Sequence, residues 1–467
     1  MKKIFFSLSI IGLLGLTSCQ DDFMEYEPTD TSDVGTAITN EGQLQTAVFG
    51  VYDALQSNYA YGNYYITAQE IMTDNGFVMF DNSNRFTDFY RYTHAQATGG
   101  SISNMWTIGY RAIARANFVL SFEGNITGSS VDQNFAEARA LRALTLFNLV
   151  NYYARPYGTI NQDLGIPVPT VLETDVPLAR KTVEEVYAEI ISELETAAPN
   201  LGAENSRITQ KAVYGILSRV FLYKKDYQKA QDYAALALAG SELLNGVVEV
   251  EGEPTTDATV LENYYLNPLA SSETLFAIDF TALDNPNTND ALSATWTIGG
   301  TYEDTAATTD FYNLIEEGDA RKGLYSVIQS ADNPLPYAVK KFGPVDNDVV
   351  VIRATEVKLN QIEAMYYTNQ AAALTELVDW VQTYRNPEYT FSGSGQALLD
   401  EILEQRRIEL AFEGHRYFDL NRYELPIIKS ANCTVNCDLP FSNHMRVFPI
   451  PFNETNTNSL MVQNPNY

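Results

Sequence analysis

Residues 209–240 carry the pattern that most narrows what this chain can fold into. Large side chains recur at helical spacing up to a polar pair, and small alanines recur after it. The residues before the polar pair are Tyr214, Leu217, Ser218 and Phe221. The pair itself is Asp226-Tyr227, and the residues after it are Ala230, Ala237 and Leu238. Because alanine lets two helix backbones approach closely, the segment predicts an antiparallel helical hairpin with its turn at the polar pair.

The offsets within this hairpin match those of a tetratricopeptide repeat, although an alanine-rich hairpin can match them by chance. Weaker versions of the pattern span 105–154, 182–224 and 353–385. Scattered hairpins do not form a continuous solenoid, because each repeat must bury its face against a neighbour. The sequence therefore predicts a mainly α fold of tetratricopeptide-like hairpins. Loop-rich insertions with small β-elements, chiefly over 241–352, would form a second packed part of the protein. Residues 57–104 are predicted to be a Tyr/Asn/Gly-rich loop region.

The N-terminus has the organisation of an export signal. Lys2 and Lys3 precede an apolar run of 13 residues over 4–16, which is shorter than the ~20 residues that span a bilayer. This predicts a signal peptide over 1–18. Leu16-Thr17-Ser18-Cys19 resembles a bacterial lipobox, in which Cys19 is lipidated. An ordinary secretory signal with an incidental cysteine is the alternative. Residues 19–40 then form a polar tether, and 41–467 form a single domain.

The charge of the chain excludes several functions. Asp and Glu number 59 against 30 Lys and Arg, for a net charge of −29. Nucleic-acid binding requires clustered basic residues, and adhesion of the folded body to an anionic membrane requires them too. Only three histidines are present, so a His-rich metal site is excluded, and we expect no metal and no cofactor.

Motifs that would indicate catalysis are missing from the sequence. It contains no nucleotide-binding glycine loop, no His-Glu-x-x-His helix and no Gly-x-Ser-x-Gly elbow. Pairs of carboxylates suitable for glycoside hydrolysis are too numerous to be informative. We therefore predict that the protein is not an enzyme.

Two cysteines follow the processed region, Cys433 and Cys437. In an exported protein this close spacing favours a local disulfide. Free thiols or a two-ligand metal site remain the alternatives.

The segment 404–423 holds the densest cluster of charges. We expect ion pairs of Arg406 or Arg407 with Glu409 or Glu413, and of Arg416 with Asp419. A catalytic reading would make His415 a base oriented by Glu413 or Asp419. The sequence offers no nucleophile for it, so a structural role is the prediction.

The same segment carries a family resemblance. The run from Arg406 to Leu420 resembles the C-terminal signature of the SusD/RagB family, which comprises outer-membrane nutrient-binding lipoproteins of Bacteroidetes. Residues 137–143 with 165–168, residues 353–364, and the ending 448–465 are similar to other parts of that family. Gln20-Asp21-Asp22 resembles the surface-export signal of Bacteroidetes lipoproteins.

The resemblance implies a function as well as a fold. Four tetratricopeptide-like pairs would support loops that form a ligand face. The protein would be a lipid-anchored outer-membrane protein exposed at the cell surface. It would capture oligosaccharides, or peptides as in the RagB branch, and deliver them to a SusC-like TonB-dependent transporter without catalysis. A surface hydrolase is the remaining alternative.

Ligand residues vary within the family, so the candidate site rests on chemistry. A sugar presents an apolar C–H face and a belt of hydroxyls, which aromatic rings and polar side chains match. The loops at 59–85 and 296–304 combine both types. We predict platforms at Trp296, Tyr302 and Tyr61, with polar contacts from Asp74, Asn75 and Arg85. Packing within the protein is the alternative role of each. Trp106 is excluded because its neighbours have helical spacing.

Overall fold

The computed structural model describes residues 37–95, 99–170, 177–330 and 335–467. The signal peptide, the lipidation site at Cys19 and nearly all of the tether lie outside the described residues. From Asn40 to Tyr467 the chain forms one compact unit. Within the described part, no helix is both long enough and apolar enough to cross a membrane.

The described residues contain sixteen α-helices. They are α1 Glu41–Gln56, α2 Tyr64–Ile71, α3 Thr87–Tyr90, α4 Ser101–Leu120, α5 Val131–Tyr153, α6 Val183–Ala197, α7 Gln210–Tyr223, α8 Tyr227–Leu238, α9 Ala258–Leu266, α10 Leu292–Trp296, α11 Thr309–Leu314, α12 Ala354–Thr368, α13 Gln370–Tyr384, α14 Gln396–Leu410, α15 Arg416–Arg422 and α16 Phe452–Thr457.

Ten short strands accompany them in the same part of the chain. They are β1 Gly76–Val78, β2 Val247–Val250, β3 Glu253–Thr256, β4 Thr274–Ile278, β5 Thr305–Ala307, β6 Tyr325–Val327, β7 Tyr337–Val339, β8 Val349–Arg353, β9 Ile427–Ile428 and β10 Asp438–Leu439. Strands β1, β5, β7 and β6 form a sheet in that order, and the others pair as β2–β3, β4–β8 and β9–β10. All pairs are antiparallel.

The predicted hairpin at 209–240 is confirmed as α7 and α8. Thr209 begins α7, and its side chain accepts a hydrogen bond from the amide of Ala212 at 2.9 Å. Asp226 begins α8 in the same way through Lys229, as expected for an N-cap carboxylate. Ala230 is buried against α7, together with Ala234 and Ala237. The hairpins at 105–154, 182–224 and 353–385 are likewise confirmed as α4–α5, α6–α7 and α12–α13.

Two loop predictions differ from the structure in different ways. The insertion over 241–352 contains the predicted small β-elements, strands β2 to β7 and most of β8, but it also contains the short helices α9, α10 and α11, which the sequence does not predict. The interpretation of 57–104 as loop is wrong at α2, where Tyr65–Ile71 are all buried. A helix buried on every side has no apolar stripe, so periodicity does not reveal it. Strand β1, from the same region, joins the insertion's sheet through β5.

A network of buried charges ties the C-terminal signature to the rest of the body. The segment 404–423 does form buried ion pairs, as predicted, but the predicted pairings of its residues are wrong. Arg406 pairs with Asp419 at 2.9 Å, and Arg416 pairs with Asp74 at 2.8 Å. Glu409 binds Arg353 and Arg385 at 2.9 and 2.7 Å. These partners come from distant segments, so the network fixes tertiary structure rather than the local turn.

His415 is buried within this network. Burial lowers the pKa of His415 to about 4, although the carboxylate of Glu356, 3.7 Å away, acts in the opposite direction. His415 is the N-cap residue of α15 and is buried, so a structural role remains the prediction for it.

Candidate functional site

Pairing of β1 with β5 brings two loop segments together, 76–92 and 279–305. Val78 lies opposite Thr305, and the amide of Met79 donates to the carbonyl oxygen of Asp304 at 2.8 Å. The carboxylate of Asp304 accepts from the amide and the hydroxyl of Ser83 at 2.7 and 2.5 Å. The turn that carries Arg85 is therefore held against the insertion by a buried acceptor.

Arg85 and Tyr302 meet where these segments converge. The guanidinium lies 3.9 Å from the centroid of the Tyr302 ring, a close cation–π contact. It also donates to the carbonyl oxygen of Asn289 at 2.5 Å and lies 3.5 Å from the carboxylate of Asp290. The Arg85 side chain is 28% exposed, and Tyr302 is half-buried. This pair combines a ring with hydrogen-bonding groups at the surface.

Two further tyrosines extend this surface. The rings of Tyr59 and Tyr64 lie 5.0 Å apart, and Tyr64 packs at 4.9 Å on Phe86, the residue after Arg85. Burial raises the pKa of Tyr64, and the nearby charge of Arg85 acts against that change. Both tyrosines are half-buried. We call the group of Tyr59, Tyr64, Arg85 and Tyr302 the aromatic face.

A disulfide loop contacts the C-terminal end of the segment 76–92. Cys433 and Cys437 are bonded, with Cα atoms 5.7 Å apart. The side-chain amide of Asn436 donates to the carbonyl oxygens of Arg91 and Tyr92 at 2.9 and 3.2 Å. The loop therefore holds the far end of the segment 76–92.

The structure corrects the prediction for Trp296, which is not on an exposed loop. It ends α10 and is only 1% exposed. Its indole N–H donates to the hydroxyl of Thr67 at 2.9 Å, and its ring packs edge-on against Phe412 at 5.0 Å. A ring enclosed in this way cannot act as a platform for a ligand at the surface.

Tyr61 is also a core residue rather than a surface platform. It is 7% exposed, and its hydroxyl accepts from the side-chain amide of Asn148 at 2.9 Å. Burial raises its pKa to about 12. The aromatic residues on either side of it along the chain, Tyr59 and Tyr64, reach the surface instead.

Asp74 and Asn75 are bound by arginines of the C-terminal signature. Burial alone would raise the pKa of Asp74, but the guanidinium groups of Arg416 and Arg407 lower it to about 2. Asn75 is fully buried and accepts from Arg407 Nε at 2.7 Å. Both side chains are therefore occupied by protein partners.

Of the six predicted residues, the structure brings together only Tyr302 and Arg85 at the surface. Sequence reasoning missed Tyr59 and Tyr64, although the density of tyrosines in 59–65 was a signal for them. Over the described residues, no three His, Cys, Asp or Glu side chains converge as metal ligands.

Comparisons with known proteins agree with this architecture. Residues 22–222 match a family model described as "Starch-binding associating with outer membrane". Residues 338–467 match the model of the SusD family. SusD-like protein P38 of Formosa agariphila is 23% identical over 90% of this chain and 91% of its own. SusD-like protein P2 of the same organism is 23% identical over the whole of both chains.

Solved structures give the same result. A putative sugar binding protein from Bacteroides vulgatus is similar with a TM-score of 0.82 and 26% identity, over 92% of this chain and 100% of the other. A SusD superfamily protein from Bacteroides thetaiotaomicron has a TM-score of 0.80 and 24% identity, over 91% and 99%. The helical hairpins, the C-terminal signature and both family models lead to one conclusion: this chain belongs to the SusD/RagB family.

Proposed function

We propose that this protein captures oligosaccharides at the cell surface and passes them unchanged to a SusC-like TonB-dependent transporter. The observation that carries the proposal is the aromatic face, in a chain whose family model is described as starch-binding. Its half-buried tyrosines offer ring surface, and Arg85 offers N–H donors beside Tyr302. A sugar ring needs both kinds of contact at once.

The chemistry of the aromatic face favours binding over catalysis. Arg85 is already paired with Asp290 and with the Asn289 carbonyl oxygen. The four members of the aromatic face are three tyrosines and an arginine, whereas glycoside hydrolysis ordinarily uses a pair of carboxyl groups. We therefore propose that the ligand leaves the protein chemically unchanged.

We further propose that Cys19 is the lipidated N-terminus and that the protein lies on the outer surface of the outer membrane. The lipobox-like sequence supports this, and so does the family model's description of association with the outer membrane. The lipid anchor would be the only attachment of the protein to the bilayer.

The proposal is tested by titration calorimetry of the full chain, purified in detergent, against neutral oligosaccharides and tryptic peptides. Tyr302→Ala removes one ring and its contact with Arg85 and is expected to weaken saccharide binding about tenfold or more. Tyr367→Ala is the matched control. Tyr367 is 39% exposed and stacks at 3.8 Å on Tyr227, on the helical body.

The outcomes separate the alternatives. Saccharide binding that Tyr302→Ala weakens and Tyr367→Ala preserves, with the sugar recovered intact, supports the proposal. Equal binding by both variants would move the site away from the aromatic face. Heat only with peptides would assign the protein to peptide capture. Cleaved sugar would contradict binding without catalysis.

A further inference from the structure

A concave surface lies beside helix α1, and none of its lining residues belongs to the aromatic face. One wall is the exposed side of α1, the opposite wall is the turn at 204–207, and the end is the loop that follows β4. The groove encloses about 1330 Å³ of space, its open mouth included. Its lining consists mainly of Gln45, Phe49, Asp53, Glu204, Arg207 and Asp284.

Phe49 presents an aromatic surface inside this groove. The side chain is 49% exposed, although a phenylalanine gains more free energy from burial than most residues do. The guanidinium of Arg207 lies 5.3 Å from the ring centroid and is itself held by Glu137 at 2.9 Å. The ring therefore contacts a half-buried arginine that a buried carboxylate holds in place, while much of the ring remains open to the groove.

Polar side chains surround Phe49 without partners of their own. In the part of the chain that the structure describes, no residue hydrogen-bonds the side chains of Gln45, Glu204, Ser206 or Asp284. These groups offer a carboxamide, a hydroxyl and carboxylate oxygens at the walls and the end of the groove. Such a set can donate to and accept from the hydroxyls of one sugar ring.

The charges of the groove restrict which sugars it can hold. Asp53, Glu204, Asp279 and Asp284 contribute carboxylates, whereas Arg207 is the cation among the lining residues. The guanidinium of Arg207 is already paired with Glu137 at 2.8 Å. Asp53 is paired with Arg115, whereas Glu204 and Asp284 form no salt bridge within the described residues, so an anionic glycan, sulfated or uronic, would meet like charge there. A neutral saccharide carries no charge that the carboxylates would repel, so the groove suits neutral saccharides.

We propose that this groove is a second saccharide subsite, with Phe49 as its platform, for another part of the same neutral glycan. This inference rests on the proposed function. The two subsites share one loop, because Asp284 ends the groove and Asp290 pairs with Arg85. These aspartates are six positions apart in the sequence, so their Cα atoms are at most about 22 Å apart.

A glycan long enough to reach both subsites gains affinity from simultaneous binding. Once one end is bound, the other end experiences a high local concentration at the second subsite. A short saccharide occupies one subsite only and has no such gain. The affinity should therefore rise steeply with the length of the glycan. Phe49 should contribute only to this rise and not to the binding of short saccharides.

The experiment is calorimetry of the full chain, in detergent, with trisaccharides and heptasaccharides of the maltose, cellulose and xylan series. Phe49→Ala is compared with Phe452→Ala, which removes a phenylalanine of similar exposure, 43%, from helix α16. Phe49→Ala is expected to weaken heptasaccharide binding about tenfold and to leave trisaccharide binding unchanged. Phe452→Ala should change neither, and Tyr302→Ala should weaken both lengths.

Each other result has a defined meaning. If Phe49→Ala binds the heptasaccharide as the unmodified protein does, while Tyr302→Ala does not, the second subsite is overturned and the proposed function stands. If Phe49→Ala weakens both lengths equally, the division into two subsites is overturned. If no neutral glycan binds the unmodified protein, the proposed function and the subsite both fail.

Discussion

Replacing Glu409 with glutamine tests whether the buried charges around α14 hold the fold together. Glu409 is 3% exposed and binds Arg353 and Arg385, with Arg321 3.6 Å away. The connected network contains four carboxylates and four cations, which are Glu273, Asp319, Glu409 and Glu413 with Arg321, Lys341, Arg353 and Arg385. Glutamine keeps the shape and one acceptor but leaves the network with an uncompensated positive charge.

The cost follows from the burial of that charge. Burial alone would raise the pKa of Glu409, yet the guanidinium groups of Arg385 and Arg353 hold it well below its usual range. Removing one partner of a buried ion pair costs about 3–5 kcal/mol. With a denaturant dependence of about 3 kcal/mol per molar urea, the unfolding midpoint should fall by about 1–1.7 M.

The assay is urea unfolding followed by far-ultraviolet circular dichroism. Glu317→Gln is the matched control, because its carboxylate also contacts a cation, Lys322 at 2.5 Å, but is 90% exposed. Exposed ion pairs contribute little to stability, so this variant should unfold as the parent does. Equal midpoints for Glu409→Gln and Glu317→Gln would refute the view that this network stabilises the fold.

Two further predictions concern the insertion. Burial, and then the facing carboxylate of Asp279, raises the pKa of Asp348 from 3.8 to about 6, so the parent loses stability as the pH rises from about 4 through 6. Asp348→Asn removes this dependence. The variant should be more stable than the parent by about 1 kcal/mol at pH 8, a value already reduced for the partial exposure of Asp348, and no more stable at pH 3. Thermal melts at both pH values test this. Gly76→Ala places a Cβ 2.8 Å from the Trp296 ring, whereas the Cβ of Gly99→Ala meets nothing within 4 Å. Gly76→Ala should therefore lower the free energy of unfolding by about 1–3 kcal/mol, and Gly99→Ala should change it little. Equal urea midpoints for the two variants would contradict this account of the packing.

The parts of the fold that the sequence predicts are those with local causes. The α7–α8 hairpin follows from alanine spacing and from the caps at Thr209 and Asp226, all within one short segment. Helix α2 escapes prediction because tertiary packing buries nearly all of it. Periodicity reports a helix only when one side of that helix faces water.

Ion pairs show the same division between local and distant causes. The density of charge in 404–423 predicts a buried network, because isolated buried charges are too costly to keep. It does not identify partners, since Asp74 lies 342 residues from Arg416. Asp74 and Asn75, predicted as ligand contacts because they sit in a polar loop region, are instead bound by Arg407 and Arg416 of that segment.

The error at Trp296 has a general physical cause. A loop-rich insertion must build its own small core, and the residue with the most apolar surface gains the most from entering it. The indole also needs one hydrogen-bond acceptor when buried, which Thr67 supplies. Tyrosine has a polar hydroxyl as well as a ring, so it can remain half-covered at a surface, and Tyr59, Tyr64 and Tyr302 are half-buried. In a chain with 30 tyrosines and 3 tryptophans, the rings left at the surface for a ligand are therefore expected among the tyrosines.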